Sequence, residues 1–107
     1  MAALVAVWIT INTLEAAQIL ARKIVTARLA ACVNIIPQVQ SVYMWEGDLQ
    51  QDSEVMLMAK TRQDLVPQLT TFVKENHPYQ VPEVIAAPLL GGNEAYFRFV
   101  RENTNEL

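Results

Sequence analysis

The sequence predicts a single α+β domain in which strands and helices follow the order β-α-β-β-α-β, with a short helix at the end. Three observations predict this order. An apolar segment opens the chain at residues 2–10, two long extended arms meet at residues 45–48, and apolar residues at helical spacing follow both the first strand and the second arm. A chain of 107 residues builds one ordinary core, so residues 1–107 are predicted to form one domain.

The first two elements are a buried strand and an amphipathic helix. Residues 2–10 are nearly all apolar, which is typical of a strand buried on both faces. The helix is predicted to begin at Asn12, with Glu15 three residues later as in a capping box, and to run to about Leu29. Its core-facing stripe is predicted to consist of Ala17, Leu20, Ala21, Ile24 and Ala27.

The two arms predict a long β-hairpin. The first arm comprises residues 33–45, and Pro37 marks a bend in it. Strict alternation along this arm predicts that five of its side chains share one face of the strand, namely Val33, Ile35, Val39, Tyr43 and Trp45. The second arm, residues 54–61, is apolar on both sides. Gly47 provides the positive φ that a tight reversal needs, and Asp48 suits the same turn.

The length of the first arm predicts self-association. Thirteen extended residues span roughly 44 Å, whereas a compact domain of this size is about 33 Å across. Tyr43 and Trp45 then lie beyond the body of the domain, on an aromatic edge that is prone to aggregate unless another copy covers it. We therefore expect a symmetric oligomer in which Tyr43 and Trp45 are interface anchors.

The second half of the chain repeats the strand and helix pattern. Asp64 is predicted to cap a helix that has Pro67 in its first turn and ends near Asn76, before Pro78. Residues 84–90 are predicted to form an edge strand because they contain Pro88. A closing helix is predicted at residues 94–101, capped by Asn93, with Tyr96, Phe99 and Val100 packing down; residues 103–107 are predicted to be loose.

Two split β-α-β units predict a ferredoxin-like plait, which is an antiparallel sheet with helices on one face. The first and third strands lie centrally in that plait. They are the two strands whose residues are apolar on both sides in this sequence. Pattern and topology therefore agree.

Composition argues against several classes of partner. The net charge is −3 without a run of like charges, which argues against nucleic acid. The longest apolar run, residues 2–9, is far shorter than the ~20 residues that span a bilayer, so no membrane insertion is expected. One cysteine fits a reducing compartment, and the N-terminus lacks the pattern of a signal peptide, so we expect a cytoplasmic location.

Candidate site residues gather at the end of the sheet where the first strand finishes. His77 and Tyr79 lie there, together with Trp45 at the hairpin tip and Glu83 before the last strand. His77 is either an ordinary helix-end residue or, in the cleft at this end, a metal ligand or a pH-sensitive group. Glu83 is either a solvated turn residue or an ion-pair partner.

The remaining candidates lie elsewhere. Lys60 ends a buried strand and either extends to solvent or holds an anion. Cys32 begins the second strand, at the end opposite His77, and reads as a small buried hydrophobe; Met44, Met56 and Met58 read as core filling rather than a copper site. One histidine supports no catalytic triad, and neither a P-loop nor a dinucleotide motif is present, so no enzyme activity is predicted.

Three separated motifs resemble the CutA divalent-cation-tolerance family. They are RLAACVN at residues 28–34, YMWEG at 43–47 and HPYQVPE at 77–83, with similar pieces at residues 60–61 and 92–93. The resemblance covers residues 5–104. It implies a ferredoxin-like subunit, a tight homotrimer built through the long hairpins, a shape related to PII-type signalling proteins, and a role in tolerance of divalent metals, notably copper. It implies no catalytic reaction.

The sequence departs from the family at two positions. Ile9 stands where some members have a cysteine, and Asn76 stands where some have a second histidine, so His77 alone remains of that ligand set. The resemblance predicts a homotrimeric, non-catalytic binding protein associated with copper or another divalent metal. Two alternatives remain, a scaffold for protein partners and a PII-like small-molecule sensor whose inter-subunit cleft is lined by Trp45, Lys60, Tyr79 and Glu83.

Overall fold

A computed structural model describes residues 2–106 and contains one four-stranded sheet. The elements follow the order β1 (Leu4–Ile11), α1 (Leu14–Thr26), β2 (Cys32–Trp45), β3 (Asp48–Arg62), α2 (Val66–Glu75), β4 (Val84–Pro88) and α3 (Glu94–Glu102). The sheet is antiparallel, with strand order β2-β3-β1-β4. The predicted α+β plait is therefore confirmed, with β1 and β3 central and β4 at an edge.

The main core lies between one face of the sheet and helices α1 and α2. Alternate residues of β1 and β3 point into it, so that Val7 lies opposite Ala59 and Ile9 opposite Leu57, all without solvent exposure. The predicted stripe of α1 packs against them, although Ala27 is only half-buried. The Thr61 hydroxyl donates to the Leu29 carbonyl at 2.7 Å, which satisfies a buried polar group inside this layer.

Helix α1 begins and ends at different residues from those predicted. Thr13, not Asn12, is the N-cap, because its hydroxyl oxygen accepts a hydrogen bond from the backbone N–H of Ala16. The helix ends at Thr26, because Arg28 adopts a left-handed conformation with φ of 59°. The backbone N–H groups of Arg28 and Leu29 then close a Schellman motif on the last turn.

Helix α2 also starts without the predicted cap. A 3₁₀ turn at Gln63–Leu65 precedes it, and the backbone of Leu65 occupies the cap position without a side-chain hydrogen bond. Asp64 instead accepts from Arg62 at 2.7 Å. Pro67 lies in the first turn as predicted, where its missing N–H removes no helical bond.

The β2–β3 hairpin turns through two residues with positive φ. Glu46 has φ of 50° and Gly47 has φ of 86°, and the pair Trp45–Asp48 closes the turn. These angles match a type I′ turn, whose twist suits a hairpin. The predicted reversal at residues 45–48 is therefore confirmed, and Glu46 as well as Gly47 takes a positive φ. Asp48 is the first residue of strand β3.

A bulge in β2 changes which residues share a face. Ile36 pairs with Met56 and Val39 pairs with Glu54, so Pro37 and Gln38 together lie opposite Val55. Gln38 takes a positive φ of 64° to accommodate the extra residue. The prediction of a single alternating face was wrong because the bulge shifts the alternation by one. Val33 and Ile35 face the helices, whereas Val39, Tyr43 and Trp45 lie on the opposite face with Glu54.

The C-terminal residues are held in place, contrary to prediction. Asn93 caps α3 as expected, and Val100 is fully buried with Leu4 and Ala31 in a second core cluster. Tyr96 and Phe99, which were predicted to pack down, are 39% and 42% exposed, and Phe97 packs in their place. After α3 the chain stays ordered, since Thr104 is buried and Asn105 bonds to the end of α1. Residue 107 of the predicted loose tail lies outside the described residues.

The hairpin gives the molecule an elongated shape. The domain measures 44 × 25 × 22 Å with a radius of gyration of 14.3 Å, compared with about 13 Å for a compact chain of this length. Large apolar side chains on the outer hairpin remain in contact with solvent, namely Val42 at 61%, Met44 at 63% and Leu49 at 71% exposure. The predicted overhang is therefore present in the structure.

Candidate functional site

A groove of about 890 Å³ lies at the end of the sheet where β1 finishes and the hairpin projects beyond the body. Its walls come from the end of β1, the facing strands of the hairpin, and the loop that joins α2 to β4. The polar and aromatic residues that line it are Thr10, Asn12, Ser41, Tyr43, Trp45, Gln50, Asp52, Ser53, Glu54, Tyr79, Gln80 and Glu83; Val42 and Val81 complete it.

His77 fixes the α2–β4 loop to the end of β1. Its Nε2 lies 2.7 Å from the Thr10 carbonyl oxygen, and its Nδ1 accepts a hydrogen bond from the Tyr79 backbone N–H at 3.1 Å. This pair of partners assigns the ring hydrogen to Nε2, because a carbonyl only accepts and an N–H only donates. The His77 ring also packs edge-on against Tyr79, with ring centroids 4.6 Å apart. His77 therefore orients Tyr79 toward the groove.

Tyr79 in turn holds a carboxylate. Its hydroxyl donates to Glu54 Oε2 at 2.7 Å, and Glu54 is only 7% exposed. Burial and the hydrogen bond to the Glu54 carboxylate raise the pKa of Tyr79 far above its ordinary value, so this hydroxyl remains a donor throughout the neutral range. The result is a nearly buried carboxylate whose orientation is fixed by a tyrosine.

A second tyrosine–carboxylate pair lies farther along the hairpin. The Tyr43 hydroxyl donates to Asp52 Oδ2, and this bond, more than any other contact, raises the pKa of Tyr43. The pairing of Ser41 with Asp52 and of Val39 with Glu54 places both carboxylates on the same face of β3. The bulge at Pro37 and Gln38 brings Tyr43 to that face.

Glu83 adds a third carboxylate. Loss of solvent raises the pKa of Glu83, and the negative charge of Glu54 raises it further. Glu54 and Glu83 both line the groove. The groove concentrates negative charge, and none of the residues that line it is lysine, arginine or histidine.

The structure brings together three of the four predicted cleft residues. Trp45, Tyr79 and Glu83 line the groove, whereas Lys60 does not. Lys60 lies opposite Cys32 near the far end of β3 and donates to the Asn34 side chain. Six residues of extended strand separate it from Glu54, which is about 20 Å. Within one chain the sheet places Lys60 and the other three residues at opposite ends. Their grouping in a cleft between subunits stays a prediction.

The copper site implied by the family resemblance does not fit these residues. Within residues 2–106, no group of three or more His, Cys, Asp and Glu side chains is arranged to hold a metal ion. Ile9 is a fully buried core residue, and the Asn76 amide is engaged with the Phe72 carbonyl and with Lys23. Both nitrogens of His77 already have partners, so a metal could bind this ring only after one of these bonds breaks.

The sequence analysis missed Asp52 and Glu54, which supply most of the charge of the groove. One signal was present, since two acidic residues at strand spacing begin the apolar run of β3. Acidic side chains there either project into solvent or meet a donor from elsewhere in the chain. The hydrogen bond from Tyr79, 25 residues away in the sequence, shows that Glu54 meets such a donor.

Comparison with known proteins assigns the chain to a family. A model of the CutA1 divalent ion tolerance protein matches residues 5–103, almost the whole chain. The chain belongs to the CutA1 family. The CutA1 motifs at residues 28–34, 43–47 and 77–83 all lie within the matched region, and the resemblance seen in the sequence is confirmed.

Individual CutA relatives agree in sequence and in structure. The divalent-cation tolerance protein CutA of Thermus thermophilus is 45% identical over 98 residues, which is 92% of this chain and 95% of the relative. The chloroplastic CutA 1 of Oryza sativa is 48% identical over 95% of this chain. A crystal structure of Oryza sativa CutA1 superposes with a TM-score of 0.96 at 46% identity, covering 99% of this chain and 97% of that one.

The names of the CutA relatives bear on function and location. The chain spans just over half the length of the plant and human relatives, 55–58%. These names describe CutA proteins or tolerance of divalent cations, and none specifies a reaction. Within residues 2–106, no helix is both long and apolar enough to cross a bilayer.

The expectation of a cytoplasmic location is overturned by the CutA relatives. The proteins from Oryza sativa and Arabidopsis thaliana are named chloroplastic, and the structure from Archaeoglobus fulgidus is named a periplasmic protein. A single cysteine fits several compartments, because location is specified by targeting segments that receptors read and not by the folded domain.

Proposed function

We propose that the chain is a homotrimeric, non-catalytic binding protein that acts in tolerance of divalent cations, copper among them. The observation that carries the proposal is the exposed apolar surface of the outer hairpin. Val42, Met44 and Leu49 are each more than 60% exposed, on a two-stranded arm that extends beyond the core.

This exposure is costly for an isolated subunit. Burial of apolar surface contributes about 25 cal/mol per Å², so covering several such side chains on each subunit favours association by several kcal/mol. The outer hairpin also presents unpaired backbone groups along β2, which is an edge of the sheet. A symmetric assembly would cover both features, and the CutA resemblance implies three subunits.

Membership of the divalent ion tolerance family supports the cation part of the proposal. The acidic groove supports it as well, because Asp52, Glu54 and Glu83 create a negative potential in a cleft. No lysine or arginine lines that groove, so no observation favours the alternative of a sensor for nucleotides or other anions. The absence of a soft-ligand cluster within residues 2–106 argues that copper binding by one chain is weak.

Light scattering coupled to size exclusion tests the assembly. The wild-type protein is expected to elute with three times the 12.0 kDa mass of one chain. Met44→Asp, which places a charge on the exposed hairpin, is expected to reduce this mass. Ile19→Asp is the matched control, since Ile19 is 50% exposed on α1, away from the hairpin. A monomeric wild-type protein at micromolar concentration would remove the basis of the proposal.

Calorimetric titration with Cu²⁺ tests the role of His77. If His77 is a ligand, His77→Ala loses affinity, whereas Asn76→Ala, at the neighbouring position, retains it. Identical affinities in the wild-type protein and His77→Ala would show that copper binds without this ring.

A further inference from the structure

The His77 ring holds both of its contacts only while it is neutral. Its Nε2 lies 2.7 Å from the Thr10 carbonyl oxygen, which requires a hydrogen on Nε2. Its Nδ1 accepts from the Tyr79 backbone N–H at 3.1 Å, which requires a free lone pair on Nδ1. A neutral imidazole with its hydrogen on Nε2 meets both requirements, whereas an imidazolium carries hydrogens on both nitrogens.

Protonation therefore affects the two contacts of the ring differently. The bond from Nε2 to Thr10 persists and becomes charge-assisted, because this nitrogen remains a donor. At Nδ1 the new hydrogen points at the Tyr79 N–H, so two donors face each other and this contact is lost. His77 is half-buried, so water reaches the ring without unfolding of the domain.

The contact at Nδ1 begins a series of hydrogen bonds that ends in the groove. It fixes the backbone of Tyr79, and the Tyr79 hydroxyl in turn donates to the nearly buried Glu54. Residues 77–83 belong to no helix or strand, so side-chain contacts of this kind hold them against the sheet. Loss of the contact at Nδ1 therefore frees the segment that forms one wall of the groove.

Other titratable groups lie on the elements packed around the ring. They are Tyr79 and Glu83 in the same loop, Asp52 and Glu54 on β3, and Lys23 on α1, which donates to the adjacent Asn76. Protonation of Glu83 favours the folded state, so the titration of Glu83 opposes a release of the loop in acid. His77 is the one histidine of the chain, and histidine is the side chain whose charge ordinarily changes between about pH 5 and pH 8.

We propose that His77 is a pH-dependent switch, in which protonation of Nδ1 releases the Tyr79 backbone and loosens residues 78–83 at the groove. The closed loop binds one proton fewer than the open loop, so acidification from about pH 8 to about pH 5 shifts the equilibrium toward the open form. Thr10 retains the ring in both forms, which confines the movement to the loop. The switch uses contacts within one chain, and it goes beyond the proposed role in tolerance of cations.

Nuclear magnetic resonance on the full chain tests the switch, because the ring signals of a single histidine are identified without ambiguity. At about pH 8 the ring is expected to be neutral with its hydrogen on Nε2. On acidification to about pH 5 the ring is expected to become protonated. Protection of the Tyr79 amide against hydrogen exchange, corrected for the intrinsic rate at each pH, is expected to fall about tenfold with the same midpoint.

His77→Asn is the decisive variant. Asparagine accepts a hydrogen bond from the backbone N–H two residues later, so this variant retains an acceptor for Tyr79 without a group that titrates. Its Tyr79 protection is expected to be independent of pH. Glu83→Gln is the matched control, since it removes a titrating group from the same loop and is expected to keep the fall. If circular dichroism shows that His77→Asn does not fold, His77→Gln replaces it, because this variant also lacks a titrating ring and is expected to show no fall.

Several results would overturn the proposal. These are a hydrogen on Nδ1 at about pH 8, a ring that stays neutral down to about pH 5, or constant protection of the Tyr79 amide while the ring titrates. The same fall in His77→Asn, or its loss in Glu83→Gln, would assign the transition to another group. Oligomeric mass measured on the same samples keeps the proposals apart: a monomer that shows the switch refutes the homotrimer alone, and a trimer without the switch refutes this inference alone.

Discussion

Tyr79 donates its hydroxyl hydrogen to Glu54 across 2.7 Å and so connects the loop after α2 to the central strand β3. The two residues belong to a loop and to a strand that lie 25 residues apart in the sequence. The Tyr79 backbone N–H also donates to His77 Nδ1, which holds the loop in place. This contact fixes the wall of the groove. It also makes Glu54 tolerable in a position where its side chain is almost completely removed from water.

Removal of the Tyr79 hydroxyl is expected to destabilise the fold. Tyr79→Phe leaves the buried Glu54 carboxylate without its donor, so the free energy of unfolding should fall by about 1–3 kcal/mol. Tyr43→Phe is the matched control, because Tyr43 and its partner Asp52 are both exposed and water can replace the lost bond. Urea denaturation at fixed protein concentration measures both changes. Equal losses in the two variants would show that burial of Glu54 does not matter.

The raised pKa of Glu83 predicts a specific pH dependence. Because folding raises this pKa, the folded state favours the protonated form. The stability that Glu83 contributes is therefore fully present below its unfolded pKa and is lost as the pH rises through the folded pKa. Thermal melts between about pH 4 and pH 7 should show this loss in wild-type protein and less of it in Glu83→Gln.

The carboxylates that face Glu83 must be considered in the same experiment. Glu54, which accepts from Tyr79, and Asp52, which accepts from Tyr43, line the same groove as Glu83. Glu94→Gln, with its charge outside the groove, is the control and should retain the wild-type pH profile. A Glu83→Gln profile identical to that of the wild type would contradict the structural origin of the shift.

The type I′ turn at the hairpin tip holds Glu46 in a strained backbone conformation that a substitution can relieve. Glu46 adopts a left-handed conformation, which asparagine tolerates better than glutamate. Glu46→Asn is therefore expected to raise the free energy of unfolding by about 0.5–1 kcal/mol. Glu46→Gln removes the charge without the conformational benefit and should have little effect. Chemical denaturation distinguishes the two, and an equal gain in both would point to charge rather than backbone conformation.

The C-terminal residues are expected to stabilise the end of α1. The Asn105 side chain donates to the Ala27 carbonyl at 2.9 Å, and its backbone N–H donates to the Arg28 carbonyl. Asn105→Ala should cost about 1 kcal/mol, because it leaves a helix-end carbonyl without its donor. Asn103→Ala, whose bond is confined to α3 and exposed, should cost less. Hydrogen exchange at the last turn of α1 would show directly whether Asn105 protects it.

Much of the fold could be predicted because its signals are local. The doubly apolar segments identified β1 and β3 as central strands, Pro88 identified an edge, and Gly47 located the reversal. The family followed from three short motifs. Helix boundaries were less predictable, because Asn12 and Thr13 are both good caps and only the backbone path decides that Thr13 accepts the bond.

The sequence by itself determined the order of the elements, the central strands and the overhanging hairpin, because each follows from side-chain periodicity over a few residues. Only the tertiary structure decided which residues line the groove. One extra residue at the Pro37–Gln38 bulge moves Tyr43 and Trp45 to the face of the sheet that carries Glu54. Lys60 lies near the far end of β3 and is therefore not part of the groove. Register and the meeting of distant segments, such as Tyr79 with Glu54, depend on long-range hydrogen bonds that no local pattern encodes.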